Sequence, residues 1–134
     1  MPDDLTSLIE RSIGGLKVTT VDEAPKFLNI LLYGDPGVGK TVLAGSAADV
    51  PDMSPVLVLD VEGGTYSLRA FYPGVDVIRI KSLEDMVKVY EELAKGQTGY
   101  KTVVLDSLTE VQKLVMQQIM RGVVNEDPDR DPDI

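Results

Sequence analysis

The 134-residue chain has neither cysteine nor histidine. Without cysteine there is no disulfide, no thiolate nucleophile and no sulfur-ligated metal, and without histidine the commonest general base and zinc ligand are missing. Any catalysis must run on carboxylates, hydroxyls, lysine, arginine and a hard cation such as Mg²⁺. No apolar run approaches the ~20 residues of a membrane-spanning helix. The start of the chain carries Asp3 and Asp4 where a secretory leader needs basic residues and an apolar block. The chain therefore reads as cytoplasmic, without a membrane partner. Positive charge is scarce as well: the net charge is −9, which argues against a surface broadly adhesive to nucleic acid while leaving room for a local basic groove.

What is present is organised in three parts. Leu5, Leu8, Ile9 and Ile13 recur at helical spacing, predicting a short amphipathic helix over 4–13 that stops at Gly14 and Gly15, within a leading segment 1–25. Residues 26–122 form the core. There an apolar run at 27–33 serves as a first strand, and a helix opens at Lys40 and continues over 42–50. Strands at 55–61, 75–80 and 100–105 follow, with helices at 82–95 and 107–121. Ser82 with Asp85 three positions later resembles a capping box. Leu83, Met86, Val87, Tyr90 and Leu93 would face inward from the first of these two helices, and Leu108, Val111, Leu114, Val115 and Ile119 from the second. Strands alternating with helices predict an α/β fold, a parallel sheet covered by helices on both faces. The last part, 123–134, sets Glu126, Asp127, Asp129, Asp131 and Asp133 against Arg130 alone, and with Pro128 and Pro132 reads as a disordered, solvated acidic tail.

Gly34, Asp35, Pro36, Gly37, Val38, Gly39, Lys40 and Thr41 complete the pattern G-x-x-x-x-G-K-[ST] between an apolar run and a helix. Such a loop turns tightly enough for successive N–H groups to converge on a phosphate, Lys40 reaches the β- and γ-phosphates, and Thr41 holds Mg²⁺ through its hydroxyl. The pattern predicts a nucleoside triphosphate ligand, ATP with Mg²⁺. Ligands of parallel sheets lie at the carboxyl ends of the strands, which singles out two acidic places. Asp106 closes the run 102–105 and is placed on the metal; a helix cap is the plainer role for it. Asp60 and Glu62, two apart, end the second strand and are expected on one side, with Glu62 nearer the ligand, where its carboxylate would orient an attacking water. A solvated strand end is the alternative there. Tyr66 is expected to pack, as aromatics usually serve cores. Arg69, Arg79 and Lys81 lie near the ligand edge without spacing that defines a DNA site.

On the residues GDPGVGKT at 34–41, LDVEGG at 59–64 and VVLDS at 103–107, the chain resembles the RecA-like P-loop ATPases, in particular small phage-encoded members with an AAA-type core linked to recombination and single-strand annealing. The resemblance spans about 26–121 and implies an Mg-dependent ATPase with Lys40 and Glu62 catalytic and with Thr41 and Asp106 on the metal. It also implies single-stranded DNA as a partner and assembly into a homo-oligomer. The family carries further strands with a sensor residue, DNA-binding loops and an arginine acting on a neighbouring subunit; none follows Arg121, so the core reads as truncated. Three other functions stay open. Asp60-Val61-Glu62-Gly63 spells the D-x-x-G of GTPases, although the close spacing from Lys40 and the lack of an N-K-x-D motif weigh against them. A small-molecule kinase shares the loop but has an arginine-rich lid, and a nucleotide-binding module without turnover is the third.

Overall fold

The computed structural model describes residues 11–22 and 27–126. The chain divides into two compact units, Met1–Leu31 and Leu32–Ile134. In the first, Ser12–Ile13 (β1) and Leu16–Lys17 (β2) pair antiparallel around Gly14 and Gly15, and the Val18 N–H donates to the Arg11 carbonyl at 2.7 Å. This corrects the end of the expected helix at 4–13. Two consecutive glycines with φ of 59° and 82° suit a two-residue hairpin turn, and Ile13 enters it as a strand residue. Residues 4–10 of that expectation lie outside the described residues.

In the second unit the elements run α1 (Lys40–Gly45), a 3₁₀ turn (Ser46–Asp49), β3 (Val56–Asp60), α2 (Tyr66–Phe71), β4 (Asp76–Arg79), α3 (Leu83–Ala94), β5 (Thr102–Asp106) and α4 (Leu108–Glu126). β3 is the middle of a three-stranded parallel sheet ordered β4-β3-β5. In register, Leu57 faces Asp76 on one side and Val103 on the other, and Asp60 is level with both Arg79 and Asp106. The apolar run of β3, rich in branched residues, is buried along its whole length because both of its edges and both of its faces are covered. Val56 and Val58 pack with Ala47 and Leu68, and Val104 and Tyr72 close over them. Leu57, Leu59 and Val61 pack with Ile80 against Met86, Val89 and Leu93 of α3 and Val111 and Leu114 of α4.

Several expectations change here. The run 27–33 joins no strand ladder: Phe27 is 87 % and Tyr33 89 % exposed. Apolar composition makes a segment suitable for a sheet, but a strand exists only when a neighbouring edge accepts its N–H and C=O groups. The inward face of α3 is also turned from the expected one. Met86, Val89 and Leu93 pack, while Val87 and Tyr90 are exposed. On α4, Leu108 and Ile119 are likewise exposed. That helix continues to Glu126, past the boundary expected at 122, and the rest of the acidic tail lies outside the described residues.

The expected cap forms. Ser82 Oγ accepts the Asp85 N–H at 3.1 Å, and the Asp85 carboxylate in turn accepts the Lys81 N–H at 3.0 Å. That hydrogen bond from Lys81, with help from Ser82 and the Lys88 charge, holds the Asp85 carboxyl below its ordinary value. Ser82→Ala is expected to cost about 1 kcal/mol of stability, read as a lower urea midpoint. A carboxylate with a lowered folded-state pKa stabilises above its unfolded value, and the contribution is lost as pH falls through the folded one. Asp85→Asn should therefore destabilise at neutral pH and flatten the acid limb of the stability profile below about pH 4; an unchanged acid limb would contradict this.

Candidate functional site

The residues between Tyr33 and α1 form an open loop, with Gly37 and Gly39 at φ of 80° and 100° carrying its reversals. Gly39 caps α1, and its carbonyl accepts the Leu43 N–H at 2.9 Å. Lys40 folds its ammonium back over the loop, donating to the Gly34 carbonyl at 2.7 Å and the Asp35 carbonyl at 2.8 Å. An ammonium has three donors, so this posture leaves one for an incoming anion while placing the charge over the loop.

α1 also carries Thr41, whose hydroxyl donates to Asp106 Oδ2 at 2.7 Å across 65 positions of sequence. Thr102, Val104 and Asp106 alternate onto the sheet face on which β3 presents Val56, Val58 and Asp60, and Val104 packs there with Ala47. The Asp106 carbonyl accepts the Val61 N–H at 2.8 Å and the Glu62 N–H at 3.3 Å. Asp106 thus joins the glycine-rich loop's helix by its side chain to the exit of β3 by its backbone. Two oxygens 2.7 Å apart, Thr41 Oγ1 and Asp106 Oδ2, are near the ~2.9 Å between neighbouring ligands of an octahedral Mg²⁺. Among the described residues no three acidic, histidine or cysteine side chains converge, and Mg²⁺ bound with a nucleotide needs only one or two protein oxygens besides the phosphates. The donor set fits that ion.

Asp60 and Glu62 are not equivalent, contrary to the reading that places both on one side. β3 ends at Asp60, so strand alternation stops before Glu62, which lies exposed in a bend. Asp60 is 4 % exposed and accepts the Gly63 N–H at 2.7 Å, with Arg79 Nη1 at 3.2 Å and Thr65 Oγ1 at 3.5 Å. The Glu62 charge reaches α4: a hydrogen bond to Glu110, followed by the charges of Glu110 and Glu62, holds Lys113 above the ordinary lysine value. Tyr66, expected to pack, is 81 % exposed on the first turn of α2, because Leu68 takes the inward position of that short helix. Arg69 is exposed on the same helix, and Arg79 is drawn to Asp60. Sequence reasoning missed the Asp60–Arg79 pair; the signal available was an acid at one strand end and a base at the end of the next.

No helix among the described residues is long and apolar enough to cross a membrane. A family model described as an AAA domain matches residues 26–130. No curated protein and no solved structure matches the chain.

Proposed function

The chain belongs to the AAA domain family of P-loop ATPases, and from that premise we propose that it binds Mg·ATP through residues 34–41 and hydrolyses it as a RecA-like ATPase in phage recombination or single-strand annealing. The observation that carries the reading is the 2.7 Å hydrogen bond between Thr41 and Asp106, which brings the phosphate loop and the second acidic motif to one point. Loop N–H groups and Lys40 hold the β- and γ-phosphates. Thr41 and Asp106 would hold the metal, which would supply positive charge against the phosphate oxygens. Glu62, at the exit of the strand beside Asp106, accepts a hydrogen bond from the attacking water and aligns it with the γ-phosphorus. Single-stranded DNA and further copies of the chain are the partners this reading assigns, in the host cytoplasm.

The GTPase reading meets a specific obstacle. In a D-x-x-G switch the glycine N–H reports a γ-phosphate, whereas the Gly63 N–H is engaged by Asp60 Oδ1 at 2.7 Å. Calorimetric titration with non-hydrolysable ATP and GTP analogues, with and without Mg²⁺, tests the proposal. The expected result is Mg-dependent binding that prefers ATP, with Asp106→Asn raising the Mg²⁺ concentration required. Preference for the GTP analogue would overturn the ATPase assignment, and binding indifferent to Mg²⁺ would remove Thr41 and Asp106 from the metal.

A further inference from the structure

We propose that Arg79 is a positioning residue for Glu62, acting through Asp60 and the turn at Gly63; this rests on the reading of Glu62 as the residue that orients water. The Glu62 carboxylate makes no hydrogen bond among the described residues, so its place is set by the backbone that carries it. That backbone is held at two points. Before the turn, the Val61 and Glu62 N–H groups donate to the Asp106 carbonyl at 2.8 and 3.3 Å. After it, the Gly63 N–H donates to Asp60 Oδ1 at 2.7 Å.

The second point depends on the Asp60 side chain being held in place. Asp60 is the one buried charged residue among those described, and an ionised carboxylate out of water needs a partner for each oxygen. Oδ1 takes Gly63, and Oδ2 takes Arg79 Nη1 at 3.2 Å with Thr65 Oγ1 more distant at 3.5 Å. Arg79 is Asp60's register partner on β4, so the pair is set by strand pairing rather than by a loop. The guanidinium also lies against the turn. Gly63 has φ of 89°, and a Cβ added there would stand 2.9 Å from Arg79 Nη1. A side chain at residue 63 would therefore be strained in its backbone and in conflict with the arginine. Carboxylate and guanidinium together grip the residue that follows Glu62.

The Arg79 side chain is 45 % exposed, so replacing it opens no core cavity. The test is amide hydrogen exchange by NMR together with steady-state ATP hydrolysis, on the full chain with Mg²⁺. Arg79→Met keeps the stem and removes the donors, and Arg79→Lys keeps the charge. Asp60→Asn keeps an acceptor for Gly63 and removes the charge, and it carries the same comparison if Arg79→Met does not fold.

In Arg79→Met the Gly63 amide should exchange about fivefold faster, a larger change than at the β3 and β5 amides. Its kcat should fall about fivefold at constant KM, since the water is misplaced while the nucleotide is held as before. Arg79→Lys should restore most of both. In a Glu62→Gln background Arg79→Met should still speed Gly63 exchange and cost no further kcat. Unchanged Gly63 exchange overturns the clamp, and kcat losses that multiply with Glu62→Gln overturn action through Glu62. A chain in which Glu62→Gln hydrolyses ATP at the wild-type rate, or one with no turnover at all, instead overturns the reading of Glu62 and this role of Arg79 with it.

Discussion

Lys40→Ala is expected to weaken binding of a non-hydrolysable ATP analogue by at least about a hundredfold, or ~2.7 kcal/mol. The magnitude follows from charge. A unit charge about 4 Å from a phosphate oxygen, at the effective dielectric of a protein surface, contributes roughly 4 kcal/mol before desolvation is counted. The Lys40 ammonium already stands over the loop on the carbonyls of Gly34 and Asp35, so little ordering remains to be done when a phosphate arrives. The substitution should leave the fold alone: Gly34 and Asp35 are exposed, and water can satisfy the carbonyls that the ammonium releases. Calorimetric titration of wild type and variant decides the matter, with the thermal midpoint as a control. An equal affinity at an equal midpoint would mean that residues 34–41 do not hold the phosphates.

Glu62→Gln is expected to separate turnover from binding. Glutamine keeps the shape and one acceptor of glutamate but loses the charge that draws and orients a water molecule. ATP hydrolysis should fall at least about tenfold, near 1.4 kcal/mol of transition-state stabilisation, with nucleotide affinity intact. Glu62 is placed for this effect to be local. It is exposed and makes no side-chain hydrogen bond among the described residues, and its charge adds only to that of Glu110 in raising Lys113 of α4. Removing that charge therefore leaves no buried group unpartnered. Turnover and affinity measured on one preparation settle it, and wild-type turnover in the variant would assign water positioning to another residue. Together the two substitutions distinguish an ATPase from a module that holds nucleotide: the module predicts loss in Lys40→Ala and no turnover for Glu62→Gln to reduce.

Much of the α/β architecture was legible along the chain. The glycine-rich loop announces itself because its chemistry is local: glycines, a lysine and a hydroxyl at fixed spacing need only their own backbone to form an anion site. β3, α3 with its Ser82 cap, β5 and α4 were legible for the same reason, since apolar periodicity and a cap are properties of neighbours in sequence. What lay beyond the sequence depended on partners. Residues 27–33 have the composition of a strand and no ladder, because pairing needs an edge that composition does not supply. Which side of α3 turns inward was decided by Leu57, Leu59 and Ile80 waiting beneath it, and they take Met86, Val89 and Leu93 rather than Val87 and Tyr90. Asp60 and Glu62 look alike in sequence, yet strand β3 ends between them. Register brings Arg79 to Asp60, and burial there makes one carboxylate an anchor while its neighbour stays free in solvent. The meeting of Thr41 and Asp106 is of the same kind: each motif was readable alone, but only packing of α1 against β5 brings their oxygens to 2.7 Å.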